Sequence, residues 1–249
     1  MFYKDIINFK NNLFDELSQS ANFEIITKGR KGANLFIPKI DSIPLVRTTT
    51  IYQNKSSPFL SIHYNIFNKI KNTFPFLDID FNNALIEIYD DNYCTMGFHS
   101  DQSLDLDDNS FIGIFSCYES PNNIISNRKL KIQNKFDKSQ SEISLEHNSV
   151  VLFSTKTNKH HLHKIILDNK NNTLWLGITF RLSKTYINFR NNIPFLLLPE
   201  NYDIELTLAT DDEKRQFYKL RGLENKNINH EYPNITYTIN PSDLLPILL

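Results

Sequence analysis

The chain has 249 residues, 27 Lys and Arg against 28 Asp and Glu for a net charge of −1, and 40% apolar residues with 19 Phe and 11 Tyr. That is enough for one large domain with a sizeable core, or one domain with an extension. The chain lacks the roughly eighteen to twenty consecutive apolar residues of a membrane helix, a secretory start at Met1-Phe2-Tyr3-Lys4-Asp5 and a disulfide framework, since its only cysteines are Cys94 and Cys117. A reducing, intracellular setting, cytoplasmic or nuclear, is the expectation.

Residues 1–20 read as a helix, because Ile6, Phe9, Leu13 and Leu17 recur on one face. Residues 43–52 read as strand or loop, and Pro58 precedes a second helix in which Ile62, Ile66 and Ile70 are spaced by four. Residues 81–89 then form a strand ended by the turn Asp90-Asp91-Asn92. Short strands follow at 111–118, 129–133, 142–145, 149–154, 162–167 and 173–182, separated by Asn, Asp and Ser turns. Many short strands with few helices predict a mainly β fold with flanking helices, a double-stranded β-helix or jelly roll whose open mouth can hold a metal. Residues 1–184 form the expected domain, with N-terminal helices within 1–75 and the jelly-roll core over 81–184.

Residues 185–249 lie outside the motif-bearing stretch and read as a C-terminal extension of open role, structural cover for the barrel being the expectation over a substrate-recognition element. They carry an apolar run at 195–199, a helix capped by Thr210 and running to Arg221 with Gly222 as its stop, and an extended stretch at 232–239. Clusters at Arg128, Lys129, Lys131, Lys135 and Lys138, and at Lys156, Lys159 and Lys164, read as solvated strand faces.

The chemistry concentrates at His99-Ser100-Asp101 and in His160-His161-Leu162-His163. Side chains at i and i+2 of an extended segment leave the same face, so His99 and Asp101 can reach one metal. A third ligand from a later strand completes two imidazoles and one carboxylate, the facial set that holds non-haem Fe(II) with positions open for substrate and oxygen. Alternation puts His161 and His163 on the same face, so spacing alone leaves that choice open. Arg181, ending the strand at 173–182, has the geometry to pair with a carboxylate.

Phe81, Asn82, Leu85, Ile86, Tyr89, Gly97, His99 and Asp101, followed by residues 147–151, Thr157, Asn158, His160, His163 and Thr179-Phe180-Arg181, stand in an order that resembles the AlkB family of Fe(II)- and 2-oxoglutarate-dependent dioxygenases. The resemblance covers roughly residues 40–184, and block order is more specific than any one motif. It implies His99, Asp101 and His163 on iron, Tyr89 and Arg181 touching 2-oxoglutarate, and O2 as the other co-substrate. It further implies oxidative demethylation of N-alkylated bases in single-stranded or duplex nucleic acid, with the base flipped into the pocket. Arg47 and Tyr52 fall where such enzymes carry a nucleotide-recognition lid, and packing is their expected role.

Two positions depart from the pattern. Glu87 stands where many AlkB-like enzymes have Asn, and Trp175 where they have a second Arg. A carboxylate beside a dianion is repelled unless protonated or turned away. Two other readings therefore stand beside the demethylase: a 2-oxoglutarate oxygenase acting on a protein or small molecule, and a catalytically impaired binding module with the same fold.

Overall fold

A computed structural model of the chain describes residues 1–170, 172–197 and 203–247. The strands in chain order are β1 (Phe2–Ile6), β2 (Glu24–Thr27), β3 (Arg30–Phe36), β4 (Ile43–Pro44), β5 (Ser57–Pro58), β6 (Asn83–Tyr89), β7 (Phe111–Tyr118), β8 (Arg128–Asn134), β9 (Gln140–Leu145) and β10 (Ser149–Ser154). They continue as β11 (His161–Ile166), β12 (Trp175–Arg181), β13 (Tyr186–Arg190), β14 (Ile193–Leu197), β15 (Asp203–Glu205), β16 (Thr207–Leu208) and β17 (Tyr237–Thr238). The helices are α1 (Phe14–Ser18), α2 (Ser61–Thr73), α3 (Thr155–His160) and α4 (Asp211–Glu224).

The larger sheet runs β1-β10-β7-β12-β6-β3-β2, with β5 beside β3. The smaller runs β11-β8-β9, and residues 95–99 extend it through the bridges Thr95 to Ile166 and His99 to His163. From β6 to β12 the chain crosses back and forth between these sheets, which is the winding of a jelly roll. Period-two alternation divides the large sheet into two apolar faces. Ala84, Ile86, Leu176, Ile178 and Phe180 pack outward against Ile62, Ile66, Phe67 and Ile70 of α2. Ile112, Ile114, Val151 and Phe153 turn inward and meet Leu130, Ile132, Leu145 and Ile165 of the small sheet.

The N-terminus departs from the expected helix. Residues 2–6 pair with β10 from Phe2↔Phe153 to Ile6↔Ser149, and only residues 14–18 are helical. The ring of Phe2 lies 4.9 Å from that of Phe153. Strand pairing and this aromatic contact outweigh the helical spacing of Ile6, Phe9 and Leu13. The helix after Pro58 is α2. In residues 43–52, only β4 is a strand.

In the extension, Thr210 caps α4 by a reciprocal box with Glu213, as its sequence indicates. The helix nevertheless runs through Gly222 to Glu224, because Arg221 and Glu224 are held by tertiary bonds described below. Of residues 232–239 only β17 is a strand, paired in parallel with β16. β13 pairs with β4, tying the extension to the N-terminal half. Residues 198 and 199 of the expected apolar run lie outside the described residues.

Candidate metal centre

Strand pairing brings His99 and His163 together. They face each other in an antiparallel bridge, His99 N–H donating to His163 O at 3.0 Å and His163 N–H to His99 O at 2.6 Å. Directly opposed residues share a face, and the two rings sit 4.7 Å apart between centroids. Asp101, two residues after His99, joins them. One potential donor atom from each of His99, Asp101 and His163 lies within 4.8 Å of the others. His161 does not join: its Nδ1 lies 2.9 Å from Thr157 O, and its ring packs edge-on against Phe2. His160 is exposed.

The surroundings prepare these groups to donate lone pairs. His99 Nδ1 lies 3.0 Å from Gly97 O, which suits an N–H there and leaves Nε2 as the free donor atom. Burial, with added repulsion from His163 and Arg221, pushes the His99 imidazole down to about 3, so the ring is neutral. Burial alone would lift the Asp101 carboxyl, but Arg181 and His163 hold it well below the usual carboxylate range. Arg181 Nε donates to Asp101 Oδ2 at 2.7 Å, and His163 Nε2 lies 3.5 Å from Oδ1. Asn158 on α3 fixes the backbone of Asp101 at both ends, accepting from its N–H at 2.8 Å and donating to its C=O at 2.7 Å. Two imidazoles and one carboxylate held below the usual carboxylate range, their donor atoms converging within 4.8 Å, are a donor set suited to Fe(II).

The triad opens onto a cavity of about 390 Å³ that reaches Arg30, Thr50 and Glu87 on one side and Arg221 and Asn225 on another. Arg181, expected to touch the co-substrate, lines it; Tyr89 does not. Tyr89 is fully buried and donates its hydroxyl to Glu87 Oε2 at 2.6 Å, so it supports a wall residue instead of forming the wall. Glu87 also meets Arg30, with Nε 2.7 Å and Nη2 2.5 Å from Oε1. Its negative charge is therefore compensated, and the repulsion expected from this departure is offset. Trp175 is buried with its ring 4.9 Å from that of Tyr89.

The basic cluster at 128–138 is not wholly solvated. Arg128 is 2% exposed and donates to the carbonyls of Tyr93 and Asp90, while its guanidinium stacks over Tyr89 and Trp175. Lys135 is buried, and desolvation brings its ammonium down to about 8. Arg47 is a structural anchor: it pairs with Asp105 through Nε at 3.0 Å and Nη2 at 2.7 Å and donates to the carbonyls of Ile235 and Tyr237. Tyr52 is buried beside Gly32.

The extension reaches the site directly, a role its sequence does not signal. Asn225 Oδ1 accepts from Ser100 N–H at 3.1 Å and from its hydroxyl at 3.2 Å, Glu224 Oε1 accepts from Ser103 N–H at 2.8 Å, and Arg221 Nη2 donates to Ser100 O. Lys135 Nζ, 2.8 Å from Glu224 O and 3.3 Å from Ser100 Oγ, completes a clamp on the segment that carries His99 and Asp101.

A family model described as the 2OG-Fe(II) oxygenase superfamily matches residues 45–193. Among curated proteins none matches. Among solved structures, OsALKBH1 is similar at a TM-score of 0.45 and 14% identity, over 68% of this chain and 87% of that one. An oxidoreductase of the 2OG-Fe(II) oxygenase family from Burkholderia pseudomallei is similar at a TM-score of 0.43 and 11% identity, over 70% and 75%. The matched stretch spans most of the jelly roll and all three residues of the triad, so the chain belongs to the 2OG-Fe(II) oxygenase superfamily, dioxygenases that use Fe(II), 2-oxoglutarate and O2.

Proposed function

We propose that the protein is an AlkB-type oxygenase that removes N-alkyl groups from nucleobases, with His99, Asp101 and His163 holding Fe(II) and Arg181 orienting the co-substrate beside Asp101. The observation that carries the reading is the convergence of two imidazoles and one carboxylate on a cavity otherwise reached by three guanidinium groups. Bound there, iron supplies the oxygen-activating chemistry of the superfamily: 2-oxoglutarate and O2 give succinate and CO2 while one oxygen atom enters a substrate C–H bond. An N-methyl group so hydroxylated breaks down to formaldehyde and the free base.

The chain's own residues position and shield that reaction. Asn158 and the α4 clamp hold the ligand segment still, and Ile114, Ile165 and Leu85 exclude water around it. At the mouth, Phe98 lines the cavity and carries the Lys164 ammonium 4.7 Å from its ring centroid. An aromatic face with an adjacent cation is what an unstacked base and its phosphate require. Residues 1–184 then form the catalytic domain, and 185–249 an extension that adds a wall to its cavity.

The test is formaldehyde and succinate release on incubation with Fe(II), 2-oxoglutarate and N-methylated oligonucleotides. Stoichiometric formaldehyde supports the reading. Succinate release that is indifferent to any oligonucleotide would instead favour the second reading, a protein or small-molecule substrate, which the net charge of −1 also suits.

A further inference from the structure

Arg181 is committed at the metal end of the cavity by its bond to Asp101 Oδ2. A dicarboxylate whose keto-acid end lies at the triad therefore needs a second cation for its far carboxylate. The strand that carries Arg181 offers none: its other end is Trp175, whose ring is buried against Tyr89. The register of the large sheet shows where a charge stands instead. Trp175 is opposite Tyr89, and Tyr89 is opposite Arg30, so the three form one lateral row across β12, β6 and β3. Neighbouring strands are about 4.8 Å apart, which places Arg30 two strands from Trp175 at the same height of the sheet.

Building on the co-substrate reading above, the geometry points to Arg30 as the anchor of the far carboxylate of 2-oxoglutarate. Its guanidinium lines the cavity. Nε and Nη2 are fixed on Glu87 Oε1, while Nη1 has only a 3.4 Å contact with Tyr93 Oη, and Nη2 a second 3.4 Å contact with Thr50 Oγ1. Donors held in place yet poorly used are what a bidentate carboxylate site supplies. Glu87 then acts as a positioning residue that fixes the fork, and Tyr89 fixes Glu87 in turn. The alternatives are occupied or misplaced. Arg221 spends Nη1 on Glu224 and Nη2 on Ser100 O, Arg128 is committed to two carbonyls, and Lys164 lies over Phe98.

The test is calorimetric titration of Mn(II)-loaded, full-length protein with 2-oxoglutarate and with pyruvate, which keeps the keto-acid end but lacks the far carboxylate. Wild type is expected to prefer 2-oxoglutarate by about tenfold or more, a preference that Arg30→Gln abolishes while pyruvate affinity holds. Because Arg30→Gln strands the Glu87 carboxylate, the double variant Arg30→Gln, Glu87→Gln is titrated beside it and is expected to behave alike, with Arg30→Lys retaining part of the preference. Either glutamine variant folding and keeping the full preference overturns the assignment while leaving the co-substrate reading intact. Wild type that binds Mn(II) and neither keto acid overturns both.

Discussion

Arg181 Nε lies 2.7 Å from Asp101 Oδ2, while Oδ1 of the same carboxylate faces His163 Nε2 at 3.5 Å. One carboxylate is thus shared between a fixed cation and a candidate metal position. The arginine both orients Asp101 and keeps it ionised, so Arg181→Gln is expected to weaken divalent-metal binding by about tenfold or more, the usual cost of losing a group that orients a ligand. Anaerobic calorimetry with Fe(II) checks this, and an unchanged affinity contradicts the orienting role.

The extension makes a second prediction. Asn225 accepts two hydrogen bonds from Ser100, between the first two ligands of the triad. Asn225→Ala leaves Ser100 N–H without its acceptor, at a cost of about 1–2 kcal/mol in stability. It is also expected to lower metal affinity. A variant that melts earlier yet binds metal as well as wild type reduces α4 to cover.

Gly177 faces Glu87 across β12 and β6, and a Cβ built there would overlap the Trp175 ring. Gly177→Ala therefore displaces a buried tryptophan, with a predicted loss of about 1–3 kcal/mol or more. Chemical denaturation measures it, and a loss below about 0.5 kcal/mol would show that the ring moves freely.

These contacts show where the sequence was legible. The alternation of β6, β7, β10 and β12 is visible because each buries one or both faces, and the triad follows from the i, i+2 rule plus one bridged strand. Resemblance, not spacing, separated His163 from His161; the structure separates them by tying His161 to Thr157 O. β1 was masked by apolar residues that happen to repeat at helical intervals. Arg30 and Asn225 carry no local signal at all: they matter only because β3 lies beside β6 and α4 lies against residues 100–103, relationships set by tertiary packing.

His63 supplies a pH prediction far from the metal. Its Nδ1 accepts from Leu60 N–H at 2.9 Å, so Nε2 bears the proton and donates to Ser20 Oγ at 2.9 Å, which donates onward to Leu17 O at 2.7 Å. Burial pushes this imidazole down to about 4. A depressed folded-state value means that the unfolded chain binds the extra proton first, so this stability is complete above about pH 6.5 and is lost as pH falls toward 4. The contribution is on the order of 3 kcal/mol. Melting curves across that window should steepen less with acid in His63→Gln than in wild type, and parallel curves would contradict the assignment.

The central claim is that His99, Asp101 and His163 hold one Fe(II) that 2-oxoglutarate chelates. Anaerobic titration of the protein with Fe(II) and 2-oxoglutarate tests it through the visible metal-to-ligand charge-transfer absorption. The account predicts a band that saturates at roughly one equivalent of iron and is lost in His163→Ala protein of unchanged circular dichroism. A folded wild type without the band, or a band that survives in His163→Ala, contradicts it.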